Sequence, residues 1–108
     1  MVVTTVMRKV ESGLAAALAA LGADAGASPV LVAVVEEFDR KFRKTRAAIE
    51  AEDAGSREAL VELEQAADSA RYAALADAGA LVSTRDVIVD THDWVCTFKA
   101  TGELLRPE

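Results

Sequence analysis

Apolar side chains return every three or four positions in three successive stretches of this chain, and each stretch closes on glycine followed by a residue suited to starting a helix. That period leaves little room for any fold but helices that each bury one face. In the first stretch Val3, Val6, Met7, Val10, Leu14, Ala17, Leu18 and Leu21 fall within an arc of about 120° at about 100° per residue. The second opens with Ser28 as N-cap and Pro29 at the first helical position, where a missing N–H costs nothing. Its stripe is Leu31, Val34, Val35, Phe38, Phe42, Thr45 and Ile49, and the helix is expected to run to about Ala54. The third begins after Ser56 and aligns Leu60, Leu63, Ala67, Ala70, Ala74 and Ala78, a narrow face of small residues that lets another helix come close.

The last quarter is built differently. Of 23 alanines, 22 lie at or before Ala80, and the segments Val87-Ile88-Val89 and Trp94 to Phe98 are rich in strand-favouring residues. A β-hairpin around Asp90 to Asp93 is one reading. A helix is favoured: Ser83 and Asp86 have the spacing of a capping box, Val82 and Val87 that of a hydrophobic staple, and Val87, Ile88, Thr91, Trp94, Val95 and Phe98 share one face. The expected architecture is an all-α antiparallel four-helix bundle formed by one domain over residues 1–108, with three helices plus a C-terminal β-hairpin as the alternative. Trp94 and Phe98 are expected to cap a core supplied by Phe38 and Phe42. The segments recur as helices, but no recurring residue motif is apparent between them.

Length and charge narrow the function classes. A chain of 108 residues supports one hydrophobic core. The longest bulky apolar run, Val30 to Val35, is far below the roughly 20 residues of a membrane span. A net charge of -6 opposes binding to nucleic acid or anionic membranes. Cys96 stands alone, which rules out an intrachain disulfide and leans toward a reducing cytoplasm. Arg8 and Lys9, then Leu14 to Leu21, then Ala23, Ala25 and Ala27 imitate a signal peptide, but Glu11 and Ser12 interrupt the step from charge to apolar run.

The strongest charge feature is Arg40, Lys41, Arg43, Lys44 and Arg46, five of twelve basic residues within seven positions. Glu36, Glu37 and Asp39 precede Arg40, Lys41 and Arg43 by four, the favourable order for pairing along a helix. A hairpin turning about Gly55 would also bring Arg43 and Lys44 to Asp68, and Lys41 or Arg46 to Glu64. The cluster is therefore read as a paired, solvated face. No aromatic alternates with it, so base stacking is unsupported.

His92, Cys96, Asp90 and Asp93 hint at a metal site, yet Asp90 and Asp93 point away from the His92-Cys96 side of a helix, and zinc needs three or four ligands. The Glu-x-x-His motif of di-iron bundles is absent. A cysteine and histidine four apart lack an orienting group and an oxyanion hole, and no glycine pattern fits a phosphate loop. No cofactor, metal or enzymatic activity is expected.

What remains is a non-enzymatic interaction module of the adaptor, regulator or small chaperone-like kind, homodimeric or bound to another protein, in keeping with the alanine-rich helical hairpins common among small bacterial proteins. Its expected contact surface is the second apolar side of the third helix, Val61, Tyr72 and Leu75, with Arg40, Arg43 and Lys44. The rival is a small ligand or metal held between helices beside Leu63, Ala67, Ala70 and Ala74.

Overall fold

The computed structural model describes residues 2–105, with the side chains of residues 5–100. Four helices follow in order: α1 (Val2–Ala23), α2 (Pro29–Glu50), α3 (Ser56–Ala76) and α4 (Val82–Leu105). They form the expected all-α bundle, 46 Å along its longest axis. Val3 of the first stripe lies outside the described side chains.

The fourth segment is helical, and the hairpin alternative is set aside. Thr84, Ile88, Thr91, Val95 and Phe98 are buried at helical spacing, so period prevails over the strand preference of single residues. The β-branched hydroxyls tie back within the helix, Thr91 Oγ1 donating to the Val87 carbonyl at 2.7 Å and Thr97 Oγ1 to that of Asp93 at 3.2 Å. Trp94 departs from expectation. It stays 37% exposed with Lys9 Nζ 5.8 Å from its ring centroid, so Phe98 alone joins Phe38 and Phe42 inside.

The core also contradicts the reading that the chain lacks a repeat. Buried residues of the first half recur in the second at an offset of 53: Val6 and Ala59, Val10 and Leu63, Leu14 and Ala67, Ala17 and Ala70, Leu21 and Ala74 in the first helix of each half. Leu31 and Thr84, Val35 and Ile88, Phe38 and Thr91, Phe42 and Val95, Thr45 and Phe98 continue the match through the second. The chain is a duplicated helical hairpin, α1–α2 followed by α3–α4. Side-chain identity hides this, because size has been exchanged between halves: leucine answers alanine on the first helices, and phenylalanine answers threonine twice on the second. Both halves fill one close-packed core, so bulk added at one position is balanced by bulk removed at its counterpart.

The exchange sets the spacing. Small residues on α3 let α2 and α4 pack closely against it, whereas α1 and α2, carrying Leu18, Phe38 and Phe42, touch over a thinner seam. Gly13 does the same locally for α1: a methyl there would run into the Thr91 hydroxyl.

Both hairpin turns read Asp-Ala-Gly-Ala, Asp24 to Ala27 and Asp77 to Ala80, and they meet at one end of the bundle. Asp24 takes the amide of Gly26 at 3.0 Å in its own turn and the amide of Leu81 at 2.8 Å at the start of α4. Asp77 takes Gly79 N–H at 3.0 Å and Ser28 N–H at 2.9 Å at the start of α2. Each aspartate thus closes its own turn and caps a helix of the other half. Ser28 adds the expected cap, its Oγ accepting from Leu31 at 3.2 Å. At α4 the helix instead begins at Val82, so Ser83 lies inside its first turn, and Asp24 holds the Leu81 N–H just ahead of it. Gly26 and Gly79 are needed for proximity and not for an unusual backbone: neither has positive φ, and a methyl on either would collide with the other's carbonyl oxygen.

The central connection is shorter in helix than expected, since α2 stops at Glu50 instead of Ala54. Glu52 N–H bonds to Ile49 and Asp53 N–H to Ala48, the paired bonds of a Schellman close, with Glu52 at φ 52° where glycine is usual.

Replacing Glu52→Gly should therefore stabilise the fold by about 0.5–1 kcal/mol in a urea titration, because a β-carbon in the left-handed region costs about 1–2 kcal/mol and glycine's flexibility returns only part of it. Gly26→Ala should lower stability and thermal midpoint together. Backbone N–H donors hold the Asp24 and Asp77 carboxyls below their ordinary 3.8. A depressed folded pKa gives stability that is present above the unfolded value and lost as pH falls through the folded one. The stability gap between the wild type and Asp24→Asn/Asp77→Asn should accordingly be widest above about pH 5 and close below 3.8.

Candidate functional site

The basic cluster is consumed by acids of the same chain. Arg40 pairs with Glu37 rather than Glu36, Arg43 with Asp39 at 2.6 Å, and Arg46 with Glu11 across the thin α1–α2 seam. Lys41 and Lys44 both reach Glu62, at 2.8 and 3.1 Å, and together pull its pKa below the usual value. The partners differ from those of a hairpin centred on Gly55: the Schellman close puts the turn at Glu52-Asp53, which shifts α3 along α2. Thr45 marks the register by donating to Ala59 O at 3.0 Å. Asp68 and Glu64 face α4 instead, meeting His92 at 2.8 Å and Lys99 at 2.9 Å.

His92 lies between two carboxylates. Its Nε2 is 2.8 Å from Asp68 Oδ1 and its Nδ1 3.0 Å from Asp93 Oδ1, so Asp93 reaches the ring that it was expected to face away from. Cys96 Sγ sits 3.8 Å from the same Nε2. The order Cys, His, Asp is that of a nucleophilic triad, but the electrostatics oppose it. Burial, then the charges of Asp68, Asp93 and Glu64, push the thiol pKa above 9.0, and Asp68 occupies the nitrogen that would take the thiol proton. Among the described residues no set of three or more ligand side chains is grouped to hold a metal ion. Cys96 should thus alkylate with iodoacetamide at pH 7.5 more slowly than a free cysteine, and Asp68→Asn/Asp93→Asn should speed it by exposing more thiolate.

The alanine strip considered for a ligand is packed: Ala67, Ala70 and Ala74 are fully buried in one cluster with Phe38 and Phe42. Concave space lies outside it. One cleft of about 330 Å³ follows the α1–α2 seam, walled by Ala15, Leu18 and Phe42, with the Arg43–Asp39 and Arg46–Glu11 pairs among its lining residues.

Exposed bulk is the remaining feature, and the duplication supplies its control. In the second half Tyr72 is 76% exposed, Val82 60%, Leu81 57%, Leu75 51% and Val61 44%, against Val30 at 66% in the first. At the matching positions of the first half stand Ala19, Pro29, Ser28, Gly22 and Arg8. A hairpin of the same design therefore needs no large apolar side chain at any of these places. The Asp68–His92 and Glu64–Lys99 pairs fix how α3 runs against α4 and set Leu75 beside the second turn of α4, with Tyr72 about a turn farther along and Leu81 and Val82 at the helix start. These four lie at the connected ends of α3 and α4 and are taken together as the outer α3–α4 seam. Val61 lies on the same side of α3 but about 16 Å away along the axis, beyond Gln65 and Asp68. Sequence reasoning missed Leu81 and Val82, although their contrast with Ser28-Pro29 across the shared Asp-Ala-Gly-Ala turn was there to find. Arg40, Arg43 and Lys44 lie on α2 and are not part of this seam. No family model, curated protein or solved structure matches the chain.

Proposed function

We propose that this protein is a non-enzymatic interaction module that docks helix on helix through the outer seam of α3 and α4, as an adaptor, regulator or small chaperone-like subunit does. One observation carries the reading: Tyr72, Leu75, Leu81 and Val82 expose bulk that the equivalent hairpin does without, and a contiguous exposed apolar patch marks a contact site. Residues 72–84 hold a single charge, Asp77, already engaged by Ser28 and Gly79, so this end meets another apolar surface without stranding an ion. The raised thiol pKa of Cys96 supports a role without covalent chemistry. A single cysteine fits a reducing cytoplasm. Among the described residues no helix is long and apolar enough to cross a membrane.

Native mass spectrometry of protein isolated from its own cells tests this. The wild type should appear in protein assemblies above its own 11.4 kDa, and Tyr72→Asp/Leu75→Asp should return to the single-chain mass. Assemblies unchanged in that variant, or a metal or small-molecule mass retained by both, would overturn the reading.

A further inference from the structure

We infer that the occupant of the α3–α4 seam is the same seam of a second copy, in a twofold contact; the inference rests on the docking reading above and adds the partner's identity. Charge distribution carries it. With 18 acidic and 12 basic residues, two copies repel over most of their surface. Around the seam the signs balance: Arg71 and Asp68 flank Tyr72 and Leu75 on α3, while Arg85 and Asp86 follow Val82 on α4. A twofold contact sets a patch against itself, so it excludes a patch of one sign and suits a neutral one with both signs at its rim.

The rim is also incomplete within one chain. Asp68 is bound to His92, and Arg85 meets Asp86 at 3.5 Å. Arg71 is exposed and has no ion-pair partner among the described residues, which leaves it to meet an acidic side chain at the mixed rim of the opposite copy. The counterpart seam, with Ala19, Gly22, Ser28 and Pro29, exposes Val30 alone as a bulky apolar side chain, too little for a second patch. Assembly through the bulky seam alone closes at two copies instead of propagating. A lipid surface fits less well, because the acidic chain lacks the cationic face that draws amphipathic helices to membranes.

Sedimentation equilibrium between about 1 and 100 μM, the range where modest homodimers dissociate, tests the inference. The wild type should be dimeric at the upper end, and Tyr72→Asp/Leu75→Asp monomeric. Leu81→Ser/Val82→Pro gives α4 the Ser-Pro start that α2 already uses, so the fold and its thermal midpoint should survive while the dissociation constant rises at least about tenfold through lost apolar contact. Tyr72→Cys in a Cys96→Ser background should form an intermolecular disulfide on mild oxidation. A wild type that is monomeric at 100 μM overturns the second copy and leaves the docking reading to its own test. A dimer indifferent to both double variants overturns both. Monomer that floats with neutral phosphatidylcholine vesicles, and loses this in the variants, assigns the seam to lipid instead.

Discussion

The bundle depends on an exchange of carboxylates between its two turns. Asp24 and Asp77 each hold their own turn and the first free amide of a helix from the other half, so neither hairpin is finished without its counterpart. An aspartate suits this place: it is short enough to span one turn, has two acceptor oxygens, and is stabilised as an anion at a helix N-terminus. Glycine at 26 and 79 follows, because the two backbones come too close for a β-carbon. Register, helix starts and the meeting of the two halves all descend from this crossing.

The internal repeat relates the two surfaces as well as the core. Inside, Phe38 with Thr91 and Thr45 with Phe98 trade size in opposite directions, while the leucines of α1 pack beside the alanines of α3 in one core. Outside no such coupling operates, so differences there are free to serve contact. Apart from the exposed Val30, the first half spends its surface on alanine and on ion pairs such as Arg46–Glu11, and the second gathers Tyr72, Leu75, Leu81 and Val82. The His92 cluster belongs to the structural side of this division, since Asp68 bridges α3 to α4 through His92, and burial together with the nearby carboxylates raises the pKa of the adjacent thiol.

Much of the fold was legible in the chain. The stripes of α1 and α2 name the buried residues nearly one for one, because a 3.6-residue period with bulky apolar side chains has few other uses. Ser28-Pro29 announced its helix for a local reason and was right. Boundaries set by distant groups were less legible: Val82 starts α4 because Asp24 lies 57 residues away in sequence from Leu81, and α2 stops early because Glu52 accepts a left-handed backbone that glycine would have signalled. Of the candidate surface, Tyr72 and Leu75 were readable from helical spacing, while Val61 was grouped with them by angle alone although axial distance separates it.

By itself the sequence determined three helices and favoured a fourth, marked most of the faces they bury, and showed that its basic cluster sits among acids able to neutralise it, since all of these follow from local period and local pairing. Tertiary structure decided which acids those cations meet, that the core is one hairpin used twice, and which apolar side chains at the connected ends of α3 and α4 stay exposed. Those facts depend on residues far apart in the chain coming within a few ångströms, and no periodicity along the sequence encodes such a distance.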